Sequence, residues 1–458
     1  MCDGILYELM LERTYNLPKE REWVMGQDNW VSNTIQNEII SQFAHSVQST
    51  TVSRASGCDF YGLTADGTTD ISADDQFSCC LQYVDKDLET HCDFLGFYNC
   101  PDTTAETLFT SLKDILLRLN IPIAHLQGYC FDGASNMSGR VSGVQARLKE
   151  ASPHSLYVHC CNHGLDLVLQ EVAREVNLIA EGLNFVQSVA VIIKESAKRK
   201  QLFESLFGCE DVIVNILMLT RWCVRTKAIQ RCCASYSVLL ATLESLKEDR
   251  SVRGDTRAKV AGLHKQALKG KTLFSLRACE ALFGPCEAVA KTLQSKKASA
   301  LCAVECVNLL MDRVSALRVD GVAGMINEVK ESATRNGLKM PDENEYRVSK
   351  TPARYRQTRE AESLQQATYD VRWRTELYEA VDLVHSELSR RFDQDWMRVA
   401  AFREKIAIDA ANVKPVAVLD AEALKLPTGF DLGRLQLQLQ MLGDVFKETV
   451  HKTVQEVA

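Results

Sequence analysis

Two aspartates stand where β-rich runs of the sequence end, each among residues that favour turns. Asp66 lies in the segment LTADGTTD and Asp132 in GYCFDGASNMSG. Paired carboxylates can hold Mg²⁺ or Mn²⁺ ions, which activate an attacking water or hydroxyl and stabilise a leaving oxygen in phosphodiester chemistry. A single aspartate at a strand end is more often a turn or helix cap. Both interpretations, metal ligand and cap, stay open at this point.

The elements that would position these aspartates follow from hydrophobic periodicity. Short β-rich runs predict five strands, at Phe60–Thr64, Gln76–Val84, Cys92–Tyr98, Ile123–Phe131 and Leu156–Cys160. A helix with Thr103 and Glu106 as a capping box follows the third run, and further helices follow the fourth and fifth. The order βββαβαβα predicts an α/β ribonuclease-H-like core. In that topology the first and fourth strands are neighbours, so Asp66 and Asp132 are expected to meet.

Composition divides the chain into five segments. We predict a helical N-terminal segment at 1–55, the first part of the core at 56–178, a large all-α insertion at 179–335, a polar connector at 336–375 and helices that end the core at 376–458. The N-terminal segment carries Ile39, Ile40, Phe43 and Val47 at helical spacing. The connector is nearly free of large aliphatic residues, so we expect it to be exposed or disordered.

The overall composition is that of a globular protein. Of 458 residues, 46% are hydrophobic and 25% charged, and the first residues carry charges where a signal peptide would be apolar. The 17 cysteines lack regular spacing and form no CxxC array, so we expect reduced thiols and no structural zinc. We also expect an intracellular protein with no membrane span and no small-molecule cofactor.

Charge is distributed unevenly along the chain. The net charge is -7, yet residues 180–300 contain 20 basic against 11 acidic side chains. This basic module inside an acidic protein is either a set of solvated helix faces or a phosphate-binding surface. The run Lys198-Arg199-Lys200 is too short to indicate a nuclear signal, and a solvated helix face is the plainer interpretation.

Long ordered motifs then identify a family. The segments ADGTTDIS, QYVDKDLETHCDFLGFYNC, GYCFDGASNMSGRVSGVQARLKE and TRW, within about residues 20–315, resemble the hAT-superfamily DNA transposase domain of proteins similar to zinc finger MYM-type protein 1. The resemblance implies a ribonuclease-H-like fold, DNA cleavage and strand transfer with Mg²⁺ or Mn²⁺, DNA as partner and a nuclear location. The resemblance is also compatible with a homo-oligomer.

The resemblance also assigns a catalytic triad of Asp, Asp and Glu. Asp66 and Asp132 fall on its first two places, as catalytic residues and metal ligands. The third place falls in LQLQLQML, where Gln438 stands instead of glutamate; Glu422 or Glu448 could take the place only if the alignment shifts. Because a neutral amide replaces a carboxylate, the metal site loses one of three anions and cleavage is expected to be impaired.

Cys160 and His163 form a CxxH pair after the fifth strand. In the family this histidine lies near the scissile phosphate, which makes His163 a predicted DNA contact. The alternatives are a core cysteine with a helix-capping histidine, or a zinc site, for which two ligands are too few.

The motif Thr220-Arg221-Trp222 opens the predicted insertion. In the family its tryptophan supports a flipped base, and an adjacent arginine suits phosphate, so Arg221 and Trp222 are predicted DNA contacts. A buried tryptophan with the arginine stem lying over it is the alternative.

Two hypotheses follow for function. The first is a metal-dependent DNA transposase; the second is a non-catalytic, domesticated module that binds DNA or protein. No Cys/His cluster for a zinc finger precedes residue 55 and no long apolar segment for dimerisation follows Val445, so we expect a truncated or decayed copy. A ribonuclease H acting on hybrids has the fold in its favour, but the helical insertion is typical of the transposase.

Overall fold

A computed structural model gives the fold of this chain. It describes residues 5–26, 32–69, 75–87, 89–207, 226–295, 298–342, 368–416, 419–426, 430–446, 450, 453 and 456. The chain forms two compact units, Met1–His159 and Cys160–Ala458. The first is an α/β unit and the second is helical in its described parts, which confirms the predicted combination of an α/β core with an all-α region.

The α/β unit holds five strands and six α-helices among its described residues. In chain order they are α1 (Ile5–Arg13), α2 (Pro18–Met25), α3 (Asn33–Ala55), β1 (Tyr61–Thr69), β2 (Asp75–Val84), β3 (Thr90–Asn99), α4 (Ala105–Arg118), β4 (Leu126–Phe131), α5 (Ser135–Ser138), α6 (Val144–Ala151) and β5 (Leu156–His159). All five predicted strands are present in the predicted order. β4 begins later than predicted because Ile123–His125 form a short 3-10 turn after Pro122.

The five strands form one mixed sheet in the order β3-β2-β1-β4-β5. β1 pairs with β2 and β2 with β3 in antiparallel fashion, whereas β1 with β4 and β4 with β5 are parallel. β1 therefore lies at the centre, with an antiparallel partner on one side and a parallel partner on the other. The first and fourth strands are sheet neighbours, as predicted.

One face of this sheet is buried against helices. Alternate residues of the strands, such as Leu63, Leu81 and Tyr129, are at most 1% exposed and pack in one cluster with the apolar stripe of α4. Thr104 caps α4, because its hydroxyl accepts a hydrogen bond from the Thr107 amide at 3.3 Å. The predicted cap at Thr103 was therefore one residue too early. The other residues of each strand point to the opposite face, which we call the open face.

Helix α3 confirms the predicted N-terminal helix but not a buried stripe. Its second half contacts the sheet, where Gln48 Nε2 donates to the Leu95 carbonyl at 2.8 Å and Thr51 is buried. The residues that suggested the helix all precede Gln48 and are exposed: Ile39, Ile40, Phe43 and Val47. Helical periodicity thus predicted this helix correctly, but the residues that pack it against the sheet lie in its later turns.

The helical unit contains twelve α-helices among its described residues. They are α7 (Cys161–Glu175), α8 (Asn177–Lys194), α9 (Ala197–Phe207), α10 (Thr226–Ala234), α11 (Tyr236–Glu248), α12 (Gly254–Ala267), α13 (Gly270–Leu293), α14 (Ala300–Ala316), α15 (Val322–Asn336), α16 (Tyr369–Phe392), α17 (Asp395–Ala411) and α18 (Leu432–Val445). No single described helix has the length and apolarity to cross a membrane; α7 and α8 reach them only together, with a bend of 103° between them.

The core of the helical unit is built around α13 and α16. Trp373 on α16 is fully buried and stacks on Phe274 of α13, with ring centroids 4.6 Å apart and planes inclined by 14°. The polar connector was predicted to reach residue 375, but α16 already begins at Tyr369. Burial of this tryptophan outweighs the polar composition around it, so the helix starts earlier. Residues 343–367 of the predicted connector lie outside the described residues.

The buried ring stack supplies a test of the helical core. Trp373→Ala should lower the free energy of unfolding by about 3–5 kcal/mol, because it removes the largest fully buried side chain and leaves a cavity. Trp373→Phe should cost less, since the indole Nε1 has no hydrogen-bond acceptor among the described residues. Urea unfolding followed by far-ultraviolet circular dichroism measures both.

Val371→Ala is the matched control for this test, because Val371 lies on the same helical turn and is half exposed. Its effect should stay within about 0.5 kcal/mol. Equal effects of the alanine substitutions at 371 and 373 would contradict the assigned core.

Candidate functional site

The two predicted carboxylates lie where β1 and β4 part. The parallel pairing of these strands ends at Thr64↔Cys130, whereas β1 continues along β2 as far as Thr69↔Asp75. Asp66 is therefore inside β1, and the prediction that it closes the strand was wrong. The antiparallel partner holds β1 extended through residues whose composition favours a turn. Asp132 follows directly after β4, as predicted.

Register and alternation place Asp66 on the open face, and Asp132 follows the strand next to it. Each lies two residues beyond the last paired position, Asp66 after Thr64 and Asp132 after Cys130. Leu63 on β1 and Tyr129 on β4 point into the core. Because side chains alternate along a strand, residues an odd number of positions away point to the opposite face. Adjacent strands are about 4.8 Å apart. Asp66 and Asp132 thus lie at the same end of two neighbouring strands, one inside β1 and the other directly after β4.

The two aspartates have different surroundings. Asp66 is exposed, and its backbone carbonyl accepts a hydrogen bond from the Ser78 hydroxyl at 2.9 Å. Asp132 is half-buried, and its Oδ1 accepts from the Ala134 amide at 3.1 Å. This second contact is the turn-capping role considered for a lone aspartate. A carboxylate has two oxygens, so capping through Oδ1 is compatible with a ligand role through the other.

This pair fits a magnesium-type site with few protein ligands. Mg²⁺ is commonly held by one or two carboxylates, keeps several waters and accepts substrate phosphates as further ligands. Within the described parts of the chain, no group of three or more His, Cys, Asp and Glu side chains is placed to hold a metal ion. In the α/β unit, Asp66 and Asp132 are the residues that could hold such an ion.

The predicted third position lies in the helical unit. Gln438 is on α18 and is exposed, whereas the next residue, Leu439, is buried against α17 in a small separate cluster. Glu422, one of the alternatives, lies in a short turn where its amide donates to Asp420 Oδ1 at 2.9 Å. Glu448 lies outside the described residues. No carboxylate thus replaces Gln438 on the described part of α18 that matches the motif.

The CxxH pair begins the helical unit. Cys160 occupies the N-cap position of α7 without a side-chain capping bond, and His163 lies half-buried in the first turn. His163 is therefore the third residue of α7. Burial raises the pKa of the adjacent Cys161 thiol to about 12.

The basic module is partly neutralised by its own acids. Lys198 pairs with Asp249 at 3.3 Å, and the nearly buried Arg199 pairs with Glu195 at 3.6 Å. The run at 198–200 is therefore not a uniformly solvated face. Further pairs within the module join basic side chains to acids on the same or a neighbouring helix: Lys247–Glu244, Lys271–Glu181, Arg277–Glu280 and Lys291–Glu287. The predicted contacts Arg221 and Trp222 lie outside the described residues.

The open face also carries aromatic side chains that sequence reasoning missed. Phe94 and Phe97 on β3 are exposed, although CDFLGFY was identified only as a β-rich run. The available signal was the glycine between aromatic residues, since an isolated glycine in a strand often marks a bulge.

A comparison with known families supports the assignment of the α/β unit. Residues 17–143 match the family model of the ZMYM1/FAM200 RNase-like domain, DUF4371. The matched stretch runs from α2 to just before α6 and includes both Asp66 and Asp132. The predicted resemblance to the domain of MYM-type zinc-finger proteins is thereby confirmed for this stretch.

Thiol reactivity tests the environment of the CxxH segment. A pKa raised to about 12 keeps Cys161 protonated at neutral pH, so its alkylation should be slow and should accelerate as the pH rises toward that value. Cys92 is exposed on β3 and should be alkylated faster than Cys161. Mass spectrometry of the native chain after timed N-ethylmaleimide treatment measures both rates.

Treatment in denaturant serves as the control, because both thiols should then react at similar rates. Rapid native labelling of Cys161 at neutral pH would contradict the buried, protonated thiol.

Proposed function

We propose that this chain is a hAT-transposase-derived protein that binds DNA and retains two of the three carboxylates of a metal-dependent strand-cleavage site. The observation that carries the proposal is the placement of Asp66 and Asp132. Asp66 lies on β1 and Asp132 directly follows the neighbouring parallel strand β4, and both are inside the stretch that matches the RNase-like family. A ribonuclease-H-like fold and a transposase ancestry would account for the positions of the two aspartates and for the family match.

In this proposal Asp66 and Asp132 hold Mg²⁺ or Mn²⁺. The ion, when bound, supplies Lewis-acid activation of an oxygen nucleophile and neutralises charge on the phosphate. The protein orients the ligands: the β1–β2 pairing keeps Asp66 extended past the β4 edge, and the Ala134 amide fixes Asp132. Exposure of Asp66 allows a nucleic-acid backbone to approach from solvent.

Catalysis is impaired in this proposal because of Gln438. The amide has no charge and one weak ligand oxygen, so the site holds a divalent ion and the charge that develops on phosphate less strongly. DNA binding does not need the third carboxylate. The present activity is therefore binding, with cleavage reduced or lost.

The basic module of the helical unit is the proposed phosphate contact. Its surplus of positive charge is the right sign for DNA, while its internal ion pairs reduce the number of cations available. We expect moderate, salt-sensitive affinity without strong sequence preference. A nuclear location and a homo-oligomer remain predictions from the resemblance.

Cleavage and binding assays on the full chain test this proposal. The native protein should bind duplex DNA and cut it little or not at all with Mn²⁺, Gln438→Glu should cut, and Asp66→Asn should abolish that cutting while retaining binding. If about six phosphates are contacted, the affinity should fall on the order of 10³-fold between about 50 and 200 mM salt. Gel analysis of nicked plasmid and fluorescence anisotropy give the two readouts.

Gln440→Glu is the matched control, because Gln440 is an exposed glutamine on the same helix and receives the same charge. It should not restore cutting. Cleavage by the native chain that Asp66→Asn removes would show that the third ligand is misassigned. Absence of DNA affinity at every salt concentration would refute the proposed function.

A further inference from the structure

The open face of the sheet carries an aromatic pair close to the carboxylates. Phe94 is 48% exposed and Phe97 is 63% exposed, and their ring centroids are 4.9 Å apart in an edge-to-face arrangement. Large aromatic side chains usually bury most of their surface, so two adjacent exposed rings call for a physical reason. Neither ring contributes to the buried cluster of the α/β unit.

A backbone irregularity puts the two rings on one face. Residues three apart in a regular strand point to opposite faces. Here the pairing shifts so that Cys80 faces Phe94 and Ser78 faces Phe97, while Leu95 turns into the core and is 3% exposed. Gly96 adopts φ +151°, a conformation that favours glycine. The bulge thus exposes both rings without losing the core contact of Leu95.

The register connects these rings to the carboxylates. Phe97 is opposite Ser78 on β2, and Ser78 is opposite Asp66 on β1. These three side chains form one row across the open face, and two strand spacings place Phe97 about 10 Å from Asp66 along the sheet. A base on Phe97 and a phosphate of the same strand at Asp66 can lie within that span.

We propose that Phe94 and Phe97 are a stacking platform for unpaired nucleobases of a DNA strand whose phosphate lies at Asp66 and Asp132. This inference rests on the proposed function and adds the form of DNA that the site receives. Rings stack on the faces of bases only where the bases are unpaired, so the platform favours single-stranded DNA over duplex. The carboxylates repel phosphate, so a divalent ion at Asp66 and Asp132 should strengthen binding of the strand.

The test compares two DNA forms bound by the full chain. The probes are fluorescein-labelled oligothymidine and the same strand annealed to oligoadenosine, measured by anisotropy with and without Mn²⁺. Loss of stacking in Phe97→Leu should weaken single-strand binding about tenfold, and Phe94→Leu with Phe97→Leu should weaken it further. Duplex affinity should stay unchanged, because backbone contacts elsewhere are retained.

Phe43→Leu is the matched control, since Phe43 is 68% exposed in the same unit but lies on α3. It should change neither affinity. Leucine keeps the positions apolar and both native rings are exposed, so the variants should fold; an unchanged thermal midpoint checks this. If the variant with both substitutions unfolds, the single-strand affinity of Phe97→Leu alone tests the proposal.

The outcomes separate this inference from the function on which it rests. Unchanged single-strand affinity in the ring variants, or an equal loss for both DNA forms, overturns the platform while DNA binding stands. Changed self-association with unaltered DNA affinity also overturns it and assigns the rings to a protein contact. If the native chain binds neither probe, the proposed function itself fails.

Discussion

The double pairing of β1 is the constraint on which the α/β unit depends. Its antiparallel bonds to β2 extend five residues further than its parallel register with β4, from Thr64 to Thr69. Beyond Thr64, β1 is no longer paired with β4, but its pairing with β2 keeps the β1 backbone extended. The two carboxylates emerge at this opening, which is why a segment of turn-like composition presents an ordered side chain.

The two faces of the sheet differ in chemistry because of this arrangement. The inner face closes on α4 through aliphatic and aromatic side chains, and it supplies the stability. The open face carries Asp66, Ser78, Cys80 and the two phenylalanines of β3. A face with a carboxylate and exposed rings is poorly suited to packing against an apolar helix. It is better suited to a ligand that combines a charged backbone with flat bases.

The sequence predicted the strands well because alternation and intervening turns are local signals. It predicted from topology alone that the first and fourth strands are neighbours, and the structure agrees. It misjudged the end of β1, since no apolar residue after Ala65 signals a strand there; only the bonds to β2 reveal it. The bulge at Leu95 and Gly96 depends on the register of a partner strand. The early start of α16 depends on a tryptophan that packs against a helix about a hundred residues earlier.

The closure of the helical core by α16 has a consequence for the order in which the chain folds. Every strand of the α/β unit is complete once His159 has been synthesised, because all of its strand pairings lie within Met1–His159. In contrast, α16 packs on α7 and stacks Trp373 on Phe274 of α13, and both of these helices leave the ribosome long before it does. Until Trp373 arrives, the surface of α13 around Phe274 has no ring to cover it. During synthesis the first unit can therefore reach its native state while the second still exposes apolar surface, and chaperones would act mainly on the second.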